Sequence, residues 1–280
     1  MKRSEENIEN SKVLEIARKW YAKISFPKCY ESEFEKLFEQ QKNLKCTTYD
    51  SYNKENNHDD PGKNLVMLLY FCQELSERYE SMGISKEILM DTISDLIIYV
   101  QRYHILNGSI GIENWAGWND HMSMHLFRIG RLQFCMTGAK KDIPDKGIKA
   151  KDPIVDVHVP AGEPLTMDAC NDAFRRAEQF LTMYFPNYHY KYYTCFSWLL
   201  DKGLRKFLKE DSNILQFQTL FEPVYKREQD SILHFMFRFG IKDRAELHEC
   251  DAKTDFSRKV KEYALNGGVF YNVLGVKDRD

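Results

Sequence analysis

Ile154-Val-Asp-Val-His-Val159, Pro160-Ala-Gly-Glu-Pro-Leu-Thr166 and the run from Met167 to Phe185 form the stretch on which the fold turns. Val155, Val157 and Val159 alternate with Ile154, Asp156 and His158, the period of a strand. Behind it, Cys170, Ala173, Phe174, Ala177, Leu181 and Tyr184 recur at helical spacing and make one apolar stripe. Thr166 is an N-cap, Asp168 puts an acid in the first turn where the macrodipole favours it, and Pro186 stops the helix. A strand, a turn and a helix that packs back on the sheet make a crossover unit. The next segment, Tyr192 to Leu199, is apolar or aromatic on both faces, as a strand in mid-sheet would be.

Working outward, Ile129 to Phe134 alternates and reads as a strand, followed by Thr137 to Pro153, a mobile hairpin loop with five lysines against three aspartates. Asp201 caps a short helix around Leu204 to Leu208. Ile214 to Phe221 and Ile232 to Phe239 read as two long strands joined at Glu228 to Ser231. Thr254 caps a last helix, Gly267-Gly268 ends it, and Val269 to Val276 reads as an edge strand. Residues 128–280 are thus predicted to form a mixed α/β sheet domain.

The first part of the chain lacks alternation and repeats apolar residues at helical spacing. Val13, Ile16, Ala17, Trp20 and Ile24 make one stripe, and Phe34, Leu37, Phe38 and Leu44 another. Longer stripes run over Leu65 to Tyr79 and Ile88 to Leu106, with Ser85 as an N-cap between them. The polar run Thr47 to Lys63 reads as an exposed loop and Glu113 to Phe127 as a last helix, with Trp115 and Trp118 facing the second domain. The fold class is α+β (mixed), with a helical domain over 1–127 and the sheet domain over 128–280.

With 280 residues, 43% hydrophobic and 29% charged, the chain is globular, and a formal net charge of -2 implies neither nucleic acid nor an anionic membrane as partner. The first eleven residues have no apolar core of a leader, and the longest apolar stretch, Leu65 to Cys72, cannot span a bilayer, so a cytoplasmic location is expected. Seven scattered cysteines, none in a C-x-x-C pair, read as reduced thiols. His121 and His125 share a helical face if the last helix forms, but no glutamate follows the first and no third ligand is evident, so no metal is expected.

Arg128-Ile-Gly-Arg-Leu-Gln-Phe134, Val157-His-Val-Pro-Ala-Gly-Glu-Pro-Leu-Thr166, Cys195-Phe-Ser-Trp-Leu-Leu-Asp201 and Ser212-Asn-Ile-Leu-Gln-Phe-Gln218 resemble the GNAT-like acyltransferase-domain proteins, which join a helical N-terminal domain to a GNAT-like C-terminal domain. The resemblance covers nearly the whole chain. It implies an acyl-CoA-dependent N-acyltransferase acting on a small-molecule amine, with acyl-CoA as co-substrate between the strands Ile154 to Val159 and Tyr192 to Leu199. Val157, Val159, Gly162 and Thr166 are then the cofactor-binding positions.

Acyl transfer needs backbone N–H groups for the pyrophosphate, a base for the amine and an acid for the departing thiolate. The turn Pro160 to Thr166 offers one glycine and two prolines, which lack donors, and Glu163 and Asp168 add negative charge. The short helix after the central strand carries Phe207 and Leu208 where an acid tyrosine would stand. The available groups are His158 as base through a water, Tyr193 as acid, Cys195 or Ser197 as donor or nucleophile, and Glu163 at the C-terminal end of a strand. Each has a structural alternative: a strand histidine can be a hydrogen-bonded framework group, and Cys195 a buried small hydrophobe. Two functions stay open on these residues, the acyltransferase and a non-catalytic GNAT-like module that binds a small ligand or a protein. A hydrolase using Cys195 or Ser197 lacks the G-x-S-x-G elbow.

Overall fold

A computed structural model of the chain describes residues 2–55, 58–113, 115–238 and 240–279, with side chains from residue 8. It divides into two compact units, Met1–Arg128 and Ile129–Asp280.

The first unit is helical: α1 (Lys2–Ile24), α2 (Glu31–Gln40), α3 (Tyr49–Asn53), α4 (Pro61–Ser81), α5 (Lys86–Ile93), α6 (Asp95–Asn107) and the short α7 (Asn119–Met122). Val13, Ala17, Trp20 and Ile24 of α1 are buried, and α1 packs along α4, whose residues Asn64 to Leu69 are all buried. Caps set the starts. Ser85 accepts from the Ile88 N–H to open α5, and Asp60 accepts from Lys63 to open α4 with Pro61 in its first turn.

Two expectations for this unit are corrected. The polar run Thr47 to Lys63 contains α3, capped by Thr48, because Tyr49 and Tyr52 bury their rings against Trp115 and Phe71; positions 56 and 57 of that run lie outside the described residues. Glu113 to Phe127 is not one helix. Trp115–Trp118 is a 3₁₀ turn, α7 ends at Met122, Met124 takes a left-handed φ of 56°, and a strand begins at Leu126; position 114 lies outside the described residues. Trp115 and Trp118 pack within this unit, on Tyr49 and Tyr52 and on Tyr99 and His121 respectively.

The second architecture is a six-stranded sheet in the order β1-β2-β3-β4-β6-β5, from β1 (Leu126–Ile129), β2 (Leu132–Gly138), β3 (Pro153–His158), β4 (Tyr192–Ser197), β5 (Glu222–Glu228) and β6 (Tyr271–Asp278). β3 and β4 are parallel; β2–β3, β4–β6 and β5–β6 are antiparallel. The crossover from β3 to β4 is α8 (Met167–Tyr184), opened by Thr166, whose hydroxyl accepts from the Ala169 N–H. Its stripe Cys170, Ala173, Phe174, Ala177, Phe180 and Leu181 is buried, and the Phe174 ring meets Phe134 and Tyr193 edge-on. Burying an aromatic ring such as Phe174 contributes roughly 1.5–3 kcal/mol, so this stripe anchors α8 to one sheet face. The register puts Phe134, Val155, Val157, Tyr193 and Cys195 on that face. On the other face Ala139, Ile143 and Ile148 pack on Ile154 and Val276.

The segment expected as a mobile loop, Thr137 to Pro153, is therefore folded, with an antiparallel bridge between Ile143 and Ile148. The strand expected over Ile129 to Phe134 is the hairpin of β1 and β2, broken at Gly130, whose φ of 62° makes the tight reversal. Ile214 to Phe221 and Ile232 to Phe239 are not strands. Ser212 caps α9 (Asn213–Gln218). In α10 (Ser231–Met236), adjacent Ile232 and Leu233 are buried while Phe235 is 62% exposed, a helical pattern; Phe239 lies outside the described residues. Glu228 to Ser231 therefore joins β5 to α10 instead of two strands. Thr254 does cap α11 (Asp255–Leu265), in a capping box with Ser257. The C-terminal strand is interior instead of at the edge, because β5 adds outside β6. Gly275 permits this packing: a Cβ there would lie 2.6 Å from Phe221 Cβ and 2.7 Å from Leu200 Cδ1.

Candidate functional site

The parallel ladder between β3 and β4 consists of Val155 against Tyr193 and Asp156 against Thr194, and goes no further. Beyond that step each strand keeps only its outer partner. Val157 and His158 pair with Phe134 and Gln133 of β2, while Cys195, Phe196 and Ser197 pair with Gly275, Leu274 and Val273 of β6. The middle of the sheet parts at the C-terminal ends of its two parallel strands, the place where open sheets collect ligands.

Three side chains meet at this step, on the face away from α8. The Thr194 hydroxyl donates to Asp156 Oδ1 at 2.6 Å, and Asp156 Oδ2 lies 3.3 Å from His158 Nε2. Thr194 is buried, Asp156 is 23% exposed and His158 48% exposed, so the chain of contacts runs from the sheet interior to solvent. Asp156 and His158 stand two apart on one strand and share its face. A carboxylate that bonds one nitrogen of an imidazole fixes the ring and stabilises its protonated form, the arrangement of an oriented general base.

The other candidates lie elsewhere. Tyr193 faces α8, with its hydroxyl on that of Tyr190 at 2.7 Å, and burial holds its proton far more firmly than in a free tyrosine. Cys195 is buried on the same face, and burial, followed by the Asp156 charge, pushes its thiol well up. Ser197 ends β4, where its Oγ accepts from the Leu199 N–H at 3.2 Å and caps a 3₁₀ turn. Val157 is buried under α8; Val159 follows the end of β3 and is half-buried. Glu163 and Gly162 are exposed in the turn between β3 and α8; Gly162 has a φ of 118°, and the space where a Cβ would sit is open. Thus His158 joins two residues not singled out from the sequence, Asp156 and Thr194, while Tyr193 and Cys195 point to the opposite face. The i, i+2 spacing of Asp156 and His158 was a visible signal. Thr194 becomes visible only once β3 and β4 are paired.

The turn itself is held from below. Arg131, buried in the β1–β2 hairpin turn, donates from Nη1 to the Pro160 carbonyl at 2.9 Å and from Nε to the Pro164 carbonyl at 3.2 Å.

His121 and His125 do not form a pair. His121 Nε2 sits 3.0 Å from Asp95 Oδ2 in the core of the helical unit, while His125 is exposed beyond the end of α7, 3.9 Å from Asp120. Among the described residues no group of three or more His, Cys, Asp or Glu side chains is placed to hold a metal ion, and no helix is long and apolar enough to cross a membrane.

A mixed sheet whose two middle parallel strands part beside a crossover helix is the architecture of the GNAT-like fold. The chain belongs to the family of the GNAT-like C-terminal domain, matched over residues 126–277, and residues 8–123 match the N-acyltransferase N-terminal domain. Among solved structures it is similar to an acyltransferase in complex with decanoyl-CoA, at 26% identity and a TM-score of 0.68. It is also similar to an acyltransferase with decanoyl-CoA and teicoplanin, and to a mutant acyltransferase with octanoyl-CoA, each at 25% identity and a TM-score of 0.67. Each match covers 78% of this chain and 66% of the other, so the chain spans just under two thirds of those proteins. No curated protein matches it in sequence.

Proposed function

We propose that the chain is an acyl-CoA-dependent N-acyltransferase, with the thioester between β3 and β4 beyond Asp156 and Thr194 and with His158 as general base. The observation that carries this reading is the coincidence of the strand separation with the Thr194–Asp156–His158 chain. The amine of the acceptor attacks the thioester carbonyl, the N–C bond forms as the amine proton passes to His158, and the C–S bond breaks. The imidazolium then returns the proton to the departing thiolate. Asp156 stabilises the imidazolium between these events, and Thr194 holds Asp156 in place. Acyl-CoA is the co-substrate, and the acyl-CoA complexes of the similar proteins support a medium-chain donor. The acceptor is a small-molecule amine; the teicoplanin bound to one similar protein makes a glycosylated peptide a reasonable probe. A CoA-linked donor and cysteines that form no disulfide support a cytoplasmic setting.

One observation favours the alternative of a non-catalytic module. The turn at the start of α8 carries two prolines without N–H donors and the exposed acids Glu163 and Asp168, which oppose a phosphate. The two readings separate in one experiment. Decanoyl-CoA at millimolar concentration should raise the melting temperature of the transferase through mass action, and an amine should then release free CoA thiol at a rate that His158→Ala abolishes. No thermal shift selects the module. A shift with no thiol release from a panel of amines selects binding without transfer.

A further inference from the structure

We infer that Arg131 is a positioning residue that shapes the turn Pro160 to Thr166 for the diphosphate of the acyl donor and supplies the positive charge that the turn itself lacks. The inference rests on the acyl-CoA reading above and adds a residue to it. Arg131 is only 6% exposed, and it donates to the carbonyls of Pro160 and Pro164, four residues apart along one turn. A buried guanidinium is always charged, so it is retained only where its donors are used and its charge is balanced. Here the donors clamp both ends of the segment Ala161-Gly-Glu163, which is exposed.

The clamp has two consequences for an anion. Carbonyls are the groups that repel phosphate, and the two beside the prolines are turned onto the cation. The glycine between them, with its φ of 118° and open space where a Cβ would sit, leaves the backbone open to close approach. The cation also lies close enough to the first turn of α8 to pull the Cys170 thiol down against its burial, so its field reaches the helix N-terminus where an anion would sit. The charge of Arg131 therefore opposes that of Glu163 and Asp168, the feature of the turn that otherwise argues against phosphate.

The test compares decanoyl-CoA with decanoyl-pantetheine, which carries the same thioester but no diphosphate, as donors for the full-length chain. The readout is the ratio of kcat/KM for the two donors. For Arg131→Met this ratio should fall roughly ten- to a hundredfold, the change expected for losing a charge-assisted interaction. Arg131→Lys keeps the charge but not the two-pronged clamp, so it should fall between the wild type and Arg131→Met, and it serves if Arg131→Met does not fold. An unchanged ratio in Arg131→Lys and Arg131→Met, or a wild-type chain that uses the two donors equally well, overturns the role of Arg131 and leaves the transferase reading standing. A purely structural role would lower both donors together and is counted in the same way. A wild-type chain that neither binds nor uses either donor overturns both.

Discussion

Asp156→Asn removes a charge while preserving shape, and its effect on turnover follows from the geometry. Asp156 Oδ2 lies 3.3 Å from His158 Nε2, and the imidazole is nearly half exposed, so water screens the pair heavily. At that separation and a dielectric near that of water, a carboxylate attracts an imidazolium by about 1.3 kcal/mol, close to a factor of ten in rate. The attraction acts while His158 carries the proton taken from the amine, so kcat/KM for decanoyl-CoA and a saturating amine should fall about tenfold in Asp156→Asn from the lost charge alone. The ring also loses its orienting partner, and general-base catalysis as a whole is worth about 10²–10⁴-fold, which bounds the total loss. Assays of thiol release read the loss, and circular dichroism checks that the variant is folded. An unchanged kcat/KM in the folded variant refutes the role given to the Asp156–His158 contact.

Alkaline pH should destabilise the fold. Burial raises the Cys72 thiol to about 12, the Cys170 thiol to about 11 and the Tyr52 and Tyr188 hydroxyls to about 12, so the folded state holds these protons more tightly than the unfolded chain. Their stabilisation is complete below the ordinary thiol pKa and is lost as pH rises from about 9 toward 12, which a series of melting temperatures will track. Iodoacetamide at pH 8 should label exposed Cys29 in the native protein well before buried Cys72 or Cys195, as peptide mapping by mass spectrometry can show. Cys195→Ala should keep acyl transfer, because the thiol faces α8 and not the Asp156–His158 pair; loss of turnover in a folded variant would return Cys195 to the mechanism. Gly275→Ala should cost about 1–3 kcal/mol in denaturant unfolding, since Phe221 and Leu200 occupy the space its methyl needs.

Much of this architecture was legible because its signals are local. Thr166 and Thr254 cap the helices expected behind them, and Ser85 caps the first of the two helices, α5 and α6, into which the stripe Ile88 to Leu106 divides at Ser94. Asp201 caps a 3₁₀ turn over Lys202–Lys206 where a short helix around Leu204 to Leu208 is expected, and the two-sided apolar run from Tyr192 marks the strand at the centre of the sheet. Where reading failed, two periods fitted the same few residues. Leu215, Phe217, Thr219 and Phe221 alternate as a strand would, yet a six-residue helix with Leu215 and Gln218 buried fits the same letters, and only tertiary packing decides. Tyr49 and Tyr52 hid a helix inside a polar run, because the apolar faces of two tyrosines counted for little among so many charges. The candidate site was half legible. His158 stood out by its chemistry, but Thr194 reaches Asp156 from a strand 38 residues away, and Arg131 meets its two carbonyls about 30 residues on, so neither contact exists until the sheet has formed.

The account depends on the parted strands being the donor site, and a crystal structure of the full chain with decanoyl-CoA measures that directly. The account predicts the thioester carbonyl between β3 and β4 just beyond Asp156 and Thr194, within reach of His158 through at most one water, with the diphosphate over Ala161 to Glu163. Decanoyl-CoA bound on another face of the sheet, or the two strands closed and hydrogen-bonded along their full length with the ligand absent at millimolar concentration, would contradict it.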